Sequence, residues 1–123
     1  MPSPSRFLSL LLLAVAIGAG AQGPAFPYSV ALSWTLSTST ITGQNVYRAP
    51  YTAGVCGTFA KLTTTAALSA TVVSFSDSTV SPNQAYCYAT TALSGTQESG
   101  FSNVVSNMQI PPAPDTNVTG TVN

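Results

Sequence analysis

Apolar and polar residues alternate along residues 28–35, which read YSVALSWT. Val30, Leu32 and Trp34 fall on one side of an extended chain, so the pattern predicts a strand with one buried face. No segment of residues 22–123 has a convincing helical period. Several short strands at such spacing predict an all-β sandwich rather than a parallel sheet. Further β-rich segments follow between Gly, Pro, Ser and Asn residues: TGQNVYR, TFAKL, TVVSF, AYCYATTAL and NVVSNMQI.

The first 21 residues are organised like a secretory signal peptide. Arg6 supplies a positive charge, an apolar run of about 13 residues follows, and Ala-Gly-Ala precedes Gln22. A membrane-spanning helix needs about 20 apolar residues, which is more than this run offers. We therefore predict that residues 1–21 are removed on export, and that the mature chain is extracellular or at the cell surface without inserting into a membrane.

The chain contains two cysteines, Cys56 and Cys87, and no histidine. Outside the cytoplasm, two thiols in a small domain are usually bridged, and a metal site would need further ligands. The pair has no CxxC spacing, so a redox role is not expected. We predict one disulfide, which should stabilise the fold by about 3 to 4 kcal/mol by closing a loop of about 30 residues.

Charged residues make up 5% of the chain and its formal net charge is zero. Without basic clusters a surface cannot collect phosphates, so nucleic acid is not an expected partner. The three acidic residues, Asp77, Glu98 and Asp115, are far apart in the sequence, which offers no acid–base pair or nucleophile triad. We predict no enzymatic activity, cofactor or metal, and interpret Asp77 as a turn residue and Glu98 as part of a hairpin.

Four segments, VALSWT, NVYR, FSDSTVSPNQAYCYATTA and ESGFSNVVS, resemble strands B, C, E to F, and G of a fibronectin type III domain of the secreted, bacterial single-domain type. The resemblance covers about residues 28–110. It implies a seven-strand antiparallel Greek-key β-sandwich of the immunoglobulin-like class over residues 22–110. It also implies that Trp34 lies in the core and that the Tyr86 hydroxyl closes the corner between strands E and F. Gln44 departs from the family, which often has an aromatic residue there.

The same framework implies a position for the disulfide. If Tyr86 points inward, Cys87 faces outward and its bond ties the loop that contains Cys56 onto the sheet. Tyr47 and Tyr51 would then lie near this loop. An exposed tyrosine pair can stack on a sugar or a partner protein, whereas plain cross-strand packing is the alternative interpretation.

Residues 111–123 read PPAPDTNVTGTVN, a sequence with which the first strand of this family typically begins. Here it follows the last strand, and residues 22–27 are too short to supply a full first strand. We expect an underpaired sheet edge beside Trp34. The tail is then a flexible linker, the product of a truncated gene, or a strand donated to another copy, which would build a filament. The expected function is a structural or adhesive module that binds copies of itself or cell-surface proteins, or else a small module that binds carbohydrate or a surface.

Overall fold

The computed structural model describes residues 9–15 and 28–122 of the 123-residue chain. The predicted cleavage site between Ala21 and Gln22 lies outside these residues. The described part contains no helix, and hence none that could span a membrane. Its ten strands are β1 (Ser9–Val15), β2 (Ser29–Thr35), β3 (Gly43–Thr52), β4 (Val55–Cys56), β5 (Ala60–Lys61), β6 (Leu68–Ser69), β7 (Ser74–Asp77), β8 (Ala85–Ser94), β9 (Gln97–Glu98) and β10 (Val105–Gln109).

The strands form two antiparallel sheets. The first sheet has the order β1-β2-β7, and the second is built on β10-β8-β3. The edge of β3 that faces away from β8 is covered in turn by the short strands β4, β5 and β6. This architecture confirms the predicted all-β antiparallel sandwich, with several short strands sharing the place of one longer strand.

The core lies between the inner faces of the two sheets. From β2 it receives Val30, Leu32 and Trp34, which are the alternating apolar residues of the sequence pattern. Val46 of β3 and Tyr88 of β8 meet them from the second sheet, and both are fully buried. The buried side chains of β2 therefore depend on packing from both sheets.

Tyr86 closes the turn between β7 and β8. Its ring is buried, and its hydroxyl accepts a hydrogen bond of 2.9 Å from the backbone N–H of Ser81, five residues upstream. The Arg48 guanidinium lies 4.7 Å from the ring centroid, within cation–π range. These contacts place Tyr86 in the corner position that the sequence resemblance implied.

Candidate functional site

The outer edge of the first sheet is formed by a strand from the predicted signal peptide. β1 runs antiparallel to β2 over its whole length, from Ser9 opposite Thr35 to Val15 opposite Ser29. On its other side β2 pairs with β7 from Val30 to Ser33. If residues 1–21 are removed, β2 becomes the edge strand of the sheet.

The face that β2 presents to the core ends at Trp34, whose indole is 5% exposed. Its backbone N–H donates a 2.9 Å hydrogen bond to the carbonyl oxygen of Val73, and its side chain packs in the core cluster. Trp34 therefore couples this edge of the first sheet to the packing of the second.

Gln44 holds Trp34 in place from β3. The Gln44 side chain is fully buried; its Oε1 accepts a 2.6 Å hydrogen bond from Trp34 Nε1, and its Nε2 donates to the carbonyl oxygens of Ser69 at 3.0 Å and Val72 at 2.6 Å. Both the oxygen and the nitrogen of this buried amide thus have hydrogen-bond partners. Sequence reasoning noted Gln44 only as a departure from the family pattern and did not predict this role.

The C-terminal tail leaves the sandwich at the end where β2 begins. The backbone N–H of Asn83 donates to the carbonyl oxygen of Pro111 at 2.9 Å, and the Tyr28 hydroxyl donates to that of Pro112 at 3.0 Å. Beyond these contacts residues 113–122 are exposed, with Val118 at 84% and Val122 at 101% of full exposure. The tail therefore carries two valines into solvent.

A disulfide joins Cys56 to Cys87 on the outer face of the second sheet. Cys56 lies in β4, opposite Tyr51 of β3, so the expectation that it lies in a loop is wrong. β3 and β4 are joined by a two-residue turn in which Ala53 and Gly54 have φ angles of 53° and 81°, as a tight hairpin of type I′ requires.

The disulfide also folds this hairpin over the sheet. β4 and β8 pair with opposite edges of β3, and strands so placed are about 9.5 Å apart in a flat sheet. The Cα atoms of Cys56 and Cys87 are only 6.0 Å apart, so the hairpin curls across the outer face of β3. Ala49, which pairs with Cys87, is buried beneath it and has the small side chain that this closure needs.

Tyr47 belongs to a cluster of aromatic rings on the same outer face. Its ring centroid lies 5.0 Å from that of Phe101 in an edge-to-face arrangement, and the centroid of the Phe59 ring lies 4.9 Å from that of Phe101 in a tilted arrangement. Tyr51 is four residues further along β3, about 13 Å away. Tyr47 and Tyr51 therefore do not form the expected pair, and Phe101, which is 40% exposed, links the rings of Tyr47 and Phe59.

The carboxylate of Glu98 fixes the polar end of this cluster. Its Oε2 accepts hydrogen bonds from Tyr47 Oη at 2.6 Å, Thr91 Oγ1 at 2.6 Å and Asn45 Nδ2 at 3.3 Å. Desolvation and the bond to Glu98 raise the pKa of Tyr47 to about 12. Desolvation alone would also raise the pKa of Glu98, but the hydrogen bonds from Thr91, Tyr47 and Asn45 outweigh it and lower the pKa of that carboxyl.

Asp77 is more than the turn residue that the sequence indicated. Its Oδ1 does accept turn bonds from Thr79, but the residue is buried and its Oδ2 lies 2.9 Å from Arg48 Nη1 and 2.7 Å from Tyr88 Oη. Desolvation alone would raise the pKa of Asp77, but the hydrogen bonds from Thr79, Tyr88 and Arg48 lower it. Asp77 is therefore a buried residue of the first sheet whose carboxylate binds Arg48 and Tyr88 of the second sheet.

Solved structures of other proteins share the β-sandwich fold of this chain. An Fn3-like protein from Clostridium thermocellum is 19% identical, with a TM-score of 0.58, covering 95% of this chain and 100% of that one. The fn3 domain of human collagen α-1(XX) is 13% identical, with a TM-score of 0.55, covering 99% of this chain and 94% of that one. This chain has a fibronectin type III-like fold.

The fibronectin type III-like fold also occurs in part of a larger protein. Pectate lyase PelI from Erwinia chrysanthemi, in complex with tetragalacturonic acid, is 22% identical with a TM-score of 0.59. The match covers 80% of this chain but only 27% of the lyase. No protein family model and no curated protein sequence matches this chain. At these identities the likeness establishes the fibronectin type III-like fold alone.

Proposed function

We propose that the protein is a secreted, non-catalytic structural module that assembles with copies of itself into an extracellular filament. The observation that carries this proposal is the origin of β1, which is the outer neighbour of β2 and lies wholly within the predicted signal peptide. Removal of β1 leaves the backbone N–H and C=O groups along one side of β2 without their strand partner. Such an edge beside an apolar core is stabilised by a new strand.

The mature chain supplies a strand for this purpose in its tail. Residues 116–122 are exposed, contain no proline, and carry threonine and valine, which favour extended structure. Residues 22–27 lie nearer in sequence, but they contain two prolines and are too few to form both a turn and a strand along β2. A tail that fills the edge of the next copy makes a head-to-tail contact, which repeats without closing.

The charges of the module fit close packing of copies. After removal of the signal peptide the chain keeps two basic and three acidic side chains, and one of each, Arg48 and Asp77, pair internally. Repulsion between neutral Ser- and Thr-rich surfaces is small. The disulfide is appropriate for an extracellular location.

The acidic residues of the sandwich are engaged in structural contacts, which supports a non-catalytic role. Asp77 is held by Arg48 and Tyr88, and Glu98 by three hydrogen bonds. Among residues 9–15 and 28–122, no group of three His, Cys, Asp or Glu side chains could hold a metal ion.

Size-exclusion chromatography and electron microscopy of the mature protein test this function. We expect the chain that begins at Gln22 to form filaments, and the variant that lacks residues 115–123 to elute as a folded monomer. Circular dichroism of the shortened variant provides the folding control. A full-length mature protein that stays monomeric at high concentration would overturn the proposal.

A second candidate function is carbohydrate binding, which the aromatic cluster favours. Tyr47, Phe59 and Phe101 present rings on one face beside the Glu98 carboxylate, a combination of apolar surface and hydrogen-bonding group that suits a sugar. A glycan array probed with the mature protein and with Phe101→Ala tests it. Binding that is lost in the variant supports this function, and equal signals from both proteins contradict it.

A further inference from the structure

Resting on the proposed function, we propose that the donated strand must come from a second copy and that its register is defined: residues 116–122 run antiparallel to β2, with Val118 opposite Trp34 and Val122 opposite Val30. The starting point is the register of β1, which occupies the same edge. It pairs antiparallel with every residue of β2, so the edge accepts a strand of seven residues in that direction.

The tail of a copy cannot reach its own edge in this direction. Pro112 is held at the hydroxyl of Tyr28, next to the first residue of β2. An antiparallel strand must enter at the other end, beyond Thr35, which is about 23 Å along the strand from Tyr28. Thr116 follows Pro112 by four positions, which span at most about 14 Å of extended chain. Side chains stand roughly perpendicular to a sheet, so the buried side chain of Tyr28 does not make up this shortfall of about 9 Å along the strand, and antiparallel pairing requires another molecule.

The positions of the two valines select the register. Val118 and Val122 are four residues apart, so both point to the same face of a strand, with Gly120 between them. Placing Val118 opposite Trp34 sets Val122 opposite Val30 and leaves Gly120 opposite Leu32. Both valines then extend the apolar core, while the intervening threonines face outward.

The neighbouring registers are less favourable. A shift of two residues in one direction moves Val122 beyond the start of β2, opposite Tyr28, and brings the charge of Asp115 opposite Thr35 within the strand. A shift in the other direction moves Val118 past the end of β2 and leaves Gly120 opposite Trp34 without a side chain to pack on it. Only the proposed register keeps both valines on β2 and Asp115 outside it.

Donation requires a local change in the tail. In the unpaired tail Asn117 has a φ of 58°, which is not that of a strand. Asn is among the residues that adopt this conformation readily and can also extend, so Asn117 permits the change. When residues 116–122 form a strand, the φ of Asn117 should change from 58° to the negative value of extended backbone.

Disulfide trapping tests the register. An acceptor chain that carries Ala31→Cys and Val118→Asp is mixed with a donor chain that carries Thr121→Cys, which the register places opposite position 31. The matched control donor carries Thr119→Cys, two residues away on the same face. We expect an intermolecular crosslink, mapped by mass spectrometry, that forms at least tenfold faster with Thr121→Cys than with Thr119→Cys.

The other outcomes separate the register from the assembly itself. Equal or faster crosslinking of Thr119→Cys shows that the register is wrong although strand donation occurs. Filaments without either crosslink show that copies associate at another surface, which overturns this inference but not self-assembly. Monomers without a crosslink overturn both. An intramolecular bridge in a monomer that carries Ala31→Cys and Thr121→Cys would overturn donation between copies.

Two aspartate variants of the tail provide an independent test that needs no crosslinking. Val118→Asp places a charge against Trp34, and Thr119→Asp places the same charge one residue later on the outward face. We expect Val118→Asp to abolish filaments and Thr119→Asp to retain them in the microscope. Equal loss in both variants, or retention of filaments by Val118→Asp, would refute the proposed facing of the strand.

Discussion

The buried amide of Gln44 permits a quantitative test of what holds the two sheets together. Gln44→Met keeps a side chain of similar length but removes three hydrogen bonds, those to Trp34 Nε1, Ser69 O and Val72 O. The bond to Trp34 is buried, and the two bonds to carbonyl oxygens are partly buried. At about 1 to 1.5 kcal/mol for each bond, the substitution should destabilise the fold by about 3 to 5 kcal/mol.

The free energy of unfolding is measured by urea denaturation in a Val118→Asp background, so that assembly does not contribute to stability. For a domain of this size, the melting temperature should fall by about 12 °C or more. Gln109→Met is the matched control, because Gln109 is exposed on β10 and should change stability by less than about 0.5 kcal/mol.

A double-mutant cycle isolates the bond to the indole. Trp34→Phe removes the Nε1 donor, and the coupling energy between positions 34 and 44 should be about 1 kcal/mol or more. A loss of less than 1 kcal/mol in Gln44→Met, or additive effects of the two substitutions, would refute the assignment of this amide as a structural link.

Four further predictions concern the rest of the sandwich. Tyr86→Phe removes the acceptor of the corner hydrogen bond and should cost about 1 kcal/mol in urea denaturation; an unchanged curve contradicts the corner. Replacing Cys56 and Cys87 together by Ala should cost about 3 to 4 kcal/mol in the same assay, given their separation of 31 residues. Because hydrogen bonds lower the pKa of Asp77, its contribution to stability is present above about pH 4 and is lost as the pH falls through the folded pKa, so Asp77→Asn should flatten the acid limb of a stability–pH curve. The raised pKa of Tyr47, about 12, means that its stabilising contribution is complete below about pH 10 and is lost towards pH 12; ultraviolet titration of Tyr47→Phe should lack one transition near pH 12.

The features that the sequence predicted are those with local signals. The alternation of Val30, Leu32 and Trp34 reports directly which face of β2 is buried, because a strand repeats every two residues. The order of the short β-rich segments and the Tyr86 context gave the sandwich topology. The bounds of the short strands were predicted less well. Of the segment predicted at residues 58–62 only Ala60–Lys61 forms a strand, and the strand predicted to begin at Thr71 begins at Ser74.

The contacts that the sequence did not predict join residues far apart in the chain. Gln44 is explained by the Trp34 indole and by carbonyl groups 25 and 28 residues away. The burial of Asp77 is explained by Arg48, 29 residues before it, and Tyr88, 11 residues after it. The ring cluster likewise depends on Phe101 folding back onto β3. Polar residues in such positions resemble ordinary turn or surface residues until the partners that satisfy them are known.

The Cys56–Cys87 bond has a mechanical consequence for a chain held in a filament and pulled from its ends. The bridge spans 31 residues that cannot be drawn out under load, so full extension of each unfolded module is about 110 Å shorter than its sequence length would allow. Arg48 and the rest of β3 lie before the segment that the disulfide closes, whereas Asp77 lies within that segment. A force ramp on single molecules should therefore show a short unfolding step that lengthens by this amount when a reductant is added, which makes the covalent bridge a stop that limits how far each unit can stretch.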